Sequence, residues 1–180
     1  MKTPWHGFDE VHNNWVMQIK LTHTRNSLLQ NARIEIVALL QDRLADSIDL
    51  MLPAKQAHWN VKGPHFIPLH ELFDKVYSDT EGFVDLIAER IVQLGGVAEG
   101  TIRAAVGRSG LPEYSLDISS GHKHVAEFAH TLSFYGETIS SGIALATQLE
   151  DVNTADILTQ VSRGADTNLG LVEAHEQKED

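Results

Sequence analysis

The stretch Ala57–Arg90, AHWNVKGPHFIPLHELFDKVYSDTEGFVDLIAER, decides how the chain is read. From His70 onward it reads as one long amphipathic helix. At 100° per residue, Leu72, Phe73, Val76, Tyr77, Phe83, Val84, Ile87, Ile91 and Leu94 gather on one side, the face that must be buried. His70, Asp74, Asp85 and Glu89 form a second stripe, roughly 140° from the centre of the first. With His58 they make five side chains able to ligate a metal. Carboxylates with a few imidazoles suit a divalent first-row ion such as iron. On the stripe alone, a solvated acidic face with a chance histidine reads equally well.

One helix cannot close such a site. Asp74 and Asp85 stand about 16 Å apart along the helix axis, and His70 and Glu89 further. Both pairs are nevertheless placed symmetrically about the point between residues 79 and 80. Two copies crossing antiparallel about a twofold axis there would set His70 opposite the partner's Glu89, and Asp74 opposite the partner's Asp85. Each dimer would then hold two equivalent sites, as isologous pairing requires.

The rest of the chain supplies a helical frame. Its 180 residues fit one domain with a sizeable core, and 42% hydrophobic content excludes a mainly disordered chain. With no cysteine, disulfides, zinc–thiolate sites and thiol catalysis are excluded. No apolar run approaches the roughly 20 residues that span a bilayer. The N-terminal residues lack the apolar core of a signal peptide, so a cytoplasmic protein is expected. A net charge of −11 suits cation uptake better than a basic nucleic-acid surface.

Residues 1–30 read as an N-terminal arm, 31–177 as the helical domain and 178–180 as a C-terminal tail. A first helix is expected from an Asn31 cap, through Ile36, Leu40, Leu44 and Ile48, with a bend at Pro53, ending before Gly63. The second runs from near Pro68 to Leu94 and stops at Gly95–Gly96. A long connector follows, with a short helix over Thr101–Val106. The third helix starts near Ser119 or Ser120 and the fourth at Asn153 or Thr154, the latter weakened by Gly164 and Gly170. This is an all-α pattern: a ferritin-like four-helix bundle with a short helix in the long crossover between helices 2 and 3.

The elements KQAHWNVKGPHF, LHELFD, FVDLIAER and VQLGG resemble the Dps family, the mini-ferritins, with weaker similarity over about residues 25–177. The spacings from His58 to His70, Asp74, Asp85 and Glu89 match that family's ferroxidase pattern. The resemblance implies a hollow homododecamer that oxidises Fe(II), preferably with hydrogen peroxide, and stores Fe(III), protecting DNA and the cell from oxidative damage. His58, His70 and Asp74 of one chain would face Asp85 and Glu89 of its twofold mate. Zinc could occupy the same ligands. Trp59, beside the first ligand, is a candidate electron donor as well as a packing residue.

Some members of that family bind DNA through a lysine-rich N-terminal tail. Here the arm is nearly neutral and the end, EAHEQKED, is acidic, so tight direct DNA binding is not expected. A nucleoid-associated DNA-compacting protein with secondary iron chemistry is the alternative. His6, His12 and His23 are candidates for an extra metal or for charge gained at low pH, and His65 for a supplementary ligand. Asp151 and Asp156 are candidate pore acids. His122 and His124 are expected at the surface.

Overall fold

The computed structural model describes residues 19–176. His6 and His12, and the proposed tail 178–180, lie outside the described residues. Among the described residues five helices follow in order: α1 (Gln30–Asn60), α2 (Phe66–Gln93), α3 (Ile102–Arg108), α4 (Gly121–Gln148) and α5 (Val152–Glu173). The short loop Val61–His65 folds α2 back on α1, and a tight turn folds α5 back on α4. The two hairpins pack through α1 on α4 and α2 on α5, and the crossover helix α3 lies on α1. This is the four-helix bundle with a long crossover that the periodicity predicts. Among the described residues no strand forms; Lys62 and Ser120 make one isolated bridge.

α1 is buried nearly all round its middle, because three other helices cover it. Ile36, Val37, Leu40, Leu44, Ile48 and Leu50 supply apolar surface. Most of the polar side chains buried with them have partners, as burial demands. Gln41 donates to Val97 O (2.7 Å) and accepts from Glu99 N–H (3.1 Å). Ser47 bonds Tyr135 across to α4 (2.8 Å). Three acids on one face of α1 fasten the crossover: Asp42 holds Arg108 (3.1 Å), Asp46 accepts from Gly110 N–H (2.9 Å) and Asp49 accepts from Ser109 Oγ (2.6 Å). Burial raises the Asp46 carboxyl above its ordinary range, against the pull of Arg43.

Several boundaries differ from the sequence expectation. α1 begins two residues earlier than an Asn31 cap would place it. Leu29 stands at its N-cap without a side-chain cap, so Asn31 is already helical. α1 continues through Pro53 to Asn60 as one helix. Packing on α2, α3 and α4 outweighs the roughly 3 kcal/mol that an interior proline costs. α3 is capped by Thr101 and α4 by Ser120, as the hydroxyls suggest. α5 starts at Val152, with Asp151 rather than Asn153 as its cap.

Asp151 is therefore no pore acid. It is 2% exposed and bonds Arg90 through both carboxylate oxygens (2.7 and 3.0 Å). Asp156 is exposed on the first turns of α5. His124 is likewise not a surface residue: it is 1% exposed and its Nδ1 is hydrogen-bonded to the Tyr114 hydroxyl (2.7 Å). Its neighbour His122 is exposed. The described part of the arm, Ile19–Leu29, is not helical; Thr22 ties it to Gly95 O through backbone N–H (2.8 Å) and hydroxyl (3.0 Å). Gly95 stands at φ +90°, a conformation that favours glycine, and a Cβ there would meet Thr22 O at 2.7 Å.

Candidate metal centre

His58 lies in the last turn of α1 and His70 in the second turn of α2. The loop between them is held at its base by the start of α4: Lys62 N–H donates to Ser119 O (2.8 Å) and Gly121 N–H to Lys62 O (3.1 Å). The two imidazoles stack at 3.7 Å between ring centroids, with 21° between planes. Each ring fixes the other helix. His58 Nδ1–H donates to His70 O (2.7 Å), and His70 Nδ1–H donates to His58 O (2.8 Å).

That exchange settles the tautomers. A carbonyl only accepts, so Nδ1 carries a proton on both rings, and the neutral form of each imidazole has its lone pair on Nε2. Two oriented, unprotonated Nε2 atoms are what a first-row metal requires of histidine, and the Nδ1–H···O=C bond is the usual support of a ligating ring.

Asp74 follows His70 by one helical turn and so lies on the same stripe. Its carboxylate forms an ion pair with Lys55, three residues before His58 on α1. Lys55 also lies over the Tyr77 ring, 4.5 Å from its centroid. The bonded Lys55 ammonium, above all, holds the Asp74 carboxyl below the usual carboxylate range; His58 and His70 pull the same way, against a burial penalty. Lys55 was missed in the sequence because a lone lysine on a helix suggests only solvation. The signal that could have found it is its position one turn from His58, facing the same neighbour helix.

Asp85 and Glu89 are exposed further along α2, away from this cluster. Glu89 borders a shallow groove with Ala88, Val92, Gln93 and Ala98. Among the described residues of a single chain, no group of three or more His, Asp and Glu side chains is gathered tightly enough to hold a metal. One chain thus pairs His58 with His70, sets Asp74 one turn further along α2 against Lys55, and leaves Asp85 and Glu89 apart. His65 caps the start of α2 and is exposed, as is His23. Around the half-site Trp59 (68% exposed), Phe66, Ile67 and Leu52 present apolar surface to solvent.

Comparison with known proteins agrees with this architecture. The ferritin-like domain family matches residues 37–177. The chain is 39% identical over 160 residues to the DNA protection during starvation protein of Agrobacterium fabrum, covering 89% of this chain and 99% of that one. Among solved structures, DpsA14 from Streptomyces coelicolor superposes with a TM-score of 0.84 at 30% identity, over 89% of this chain and 95% of the other. Mycobacterium smegmatis Dps gives a TM-score of 0.83 at 29% identity, over 87% and 96%. The match across nearly the whole bundle places the chain in the Dps branch of the ferritin-like family.

Proposed function

We propose that this chain is a ferroxidase and iron-storage protein. In this reading Fe(II) is a substrate, bound by His58, His70 and Asp74 of one chain and by Asp85 and Glu89 of a twofold mate. Hydrogen peroxide is the preferred oxidant, and Fe(III) collects inside a homododecamer. The observation that carries the reading is the reciprocal Nδ1–H···O=C exchange, which leaves Nε2 of both rings free of these bonds, with Asp74 one turn along the same stripe. The exposed apolar surface around the half-site supports cover by a second copy. The symmetric spacing of the two acids about residues 79 and 80 supports their arrival from that copy.

The chemistry follows from the ligands. Bringing two acid-bearing stripes together costs repulsion, which a bound cation relieves. Two Fe(II) ions supply the two electrons that reduce peroxide to water, so no hydroxyl radical leaves the site. Lys55 neutralises Asp74 while the site is empty and must withdraw when a metal takes the carboxylate. The same ligands accept zinc, which would bind without redox chemistry and compete with iron. Metal binding needs neutral imidazoles, so uptake falls as pH drops.

The name of the Agrobacterium relative speaks of DNA protection. For a chain of net charge −11, protection by consuming iron and peroxide is the better reading than tight direct contact with DNA. The test is iron(II) oxidation by peroxide with native sizing. Twelve chains of 19.9 kDa form a particle of roughly 240 kDa, which should gain an iron core. Asp85→Asn and Glu89→Gln should abolish fast oxidation while the particle persists. Unchanged kinetics in both variants would rule out the site.

A further inference from the structure

Tyr114 and His124 form a buried acid–base pair for which the metal site has no structural need. Tyr114, in the crossover, is 8% exposed, and its hydroxyl is hydrogen-bonded to His124 Nδ1 at 2.7 Å. The rings stack at 6.1 Å with 16° between planes. Among the described residues, His124 Nε2 has no hydrogen-bond partner. A buried imidazole left half satisfied carries a cost that simple packing would have avoided.

The pair is linked to the half-site through Phe73. His124 meets Phe73 edge-on, with centroids 6.2 Å apart, and Phe73 is bonded in sequence to Asp74. A second aromatic path runs from Tyr114 through Phe128 (6.1 Å) to Phe73 (5.5 Å). The chain has three tyrosines. Tyr135 bonds only the Ser47 hydroxyl, which is no base, and Tyr77 lies under the Lys55 ammonium, which opposes removal of an electron. Tyr114 alone has a base at its hydroxyl. Burial keeps His124 neutral and able to accept a proton, while the nearby Glu127 carboxylate favours the imidazolium once formed. The Tyr114 phenol is pushed well above its ordinary range, so it stays protonated until oxidised.

We propose that Tyr114 is an electron donor to the metal site, with His124 as the acceptor of its proton. The idea rests on the ferroxidase reading and adds what happens when a site holds a single Fe(II). Peroxide then receives one electron from iron and needs a second. The phenol of Tyr114 gives that electron and becomes a neutral phenoxyl radical, and its proton moves to Nδ1 of His124. Peroxide takes up two protons from solvent, its O–O bond breaks, and two waters form. One Fe(II) is oxidised to Fe(III), one phenol to phenoxyl, and no hydroxyl radical is released.

The test is freeze-quench electron paramagnetic resonance of the assembled protein, given a single iron(II) per site and then hydrogen peroxide. The unaltered protein should show a phenoxyl signal that broadens with ring-deuterated tyrosine. Tyr114→Phe keeps the ring in the core and should lose the signal, with more hydroxyl radical captured by a spin trap. His124→Gln keeps an acceptor for the hydroxyl but no base, and should lose the signal too. Tyr135→Phe should retain it. In the iron-free protein, the nitrogen-15 resonance of His124 Nδ1 should shift on Tyr114→Phe. An unchanged signal in Tyr114→Phe, a tryptophan radical alone, or no organic radical despite peroxide-driven iron oxidation would overturn the proposal. Failure of the unaltered protein to oxidise iron with peroxide would instead remove the ferroxidase reading, and with it the electron acceptor.

Discussion

The buried pair between Arg90 and Asp151 gives the sharpest stability prediction. Arg90 is 4% and Asp151 2% exposed. Arg90 Nη2 reaches both Asp151 oxygens, and Nε donates to Thr154 Oγ1 (2.9 Å). Asp151 also accepts from Thr154 N–H (3.1 Å), so the same carboxylate caps α5 and neutralises the guanidinium. Asp151→Ala therefore removes a cap, worth about 1 kcal/mol. It also leaves a buried cation unpaired, which costs about 3–5 kcal/mol. The two losses share one carboxylate and do not add fully, so the expected cost is about 4 kcal/mol. At 2–4 °C per kcal/mol for a chain this long, melting should fall on the order of 10 °C.

The double variant Arg90→Met/Asp151→Leu removes both charges and should recover much of that loss. The assay is guanidinium or thermal unfolding followed by circular dichroism on the assembled protein. A loss under about 1 kcal/mol for Asp151→Ala, or a double variant worse than the single, would refute the reasoning. Because Arg90 adjoins Glu89, slackening of this clamp should also slow iron oxidation.

Four further predictions follow from the same structure. A Cβ at Gly164 would lie 2.7 Å from Phe83 Cε1, whereas at Gly170 it meets nothing within 4 Å. Gly170→Ala should stabilise by about 1 kcal/mol and Gly164→Ala should destabilise by about 1–3 kcal/mol, both read by unfolding. Glu150 ends the α4–α5 turn at φ 60°, so Glu150→Gly should raise stability by up to about 1 kcal/mol. Lys55→Gln removes the competitor for Asp74 and should tighten cobalt(II) binding a few-fold in an optical titration; weaker binding would count against the role given to Lys55. Burial lowers the His124 pKa in the folded chain, so the unfolded chain binds more protons below about pH 6.5. Stability should then fall with decreasing pH from there, by at most about 1.4 kcal/mol per pH unit. His124→Gln should show a shallower fall when melts at pH 7 and pH 5.5 are compared.

The helices were legible because burial imprints a 3.6-residue period on α2, α4 and α5. α1 was legible by its apolar content, although it is covered on several sides and carries little amphipathic contrast. The caps at Thr101 and Ser120 were readable from local chemistry. Asp151 and His124 were misread for a common reason. A polar residue is buried only when a distant partner pays for it, and neither Arg90 nor Tyr114 is marked as that partner in the sequence. That α1 runs on past Pro53 to Asn60 could not be read from the sequence, because the local cost of proline is visible there and the packing that offsets it is not. At the candidate site, the helical stripe carrying His70, Asp74, Asp85 and Glu89 was legible, but the His58–His70 exchange and the Lys55 ion pair depend on how α1 and α2 meet.

The central claim is that the metal site is shared between two chains, and subunit complementation tests it most directly. One variant carries His58→Ala and His70→Ala, the other Asp85→Asn and Glu89→Gln. Each alone should be inactive in peroxide-dependent iron oxidation. Dissociated together and reassembled at random, half the dimers pair unlike chains, and each such dimer regains one intact site of its two. About a quarter of the original activity should return. Mixed particles no more active than the two parents would contradict a site built across the twofold axis.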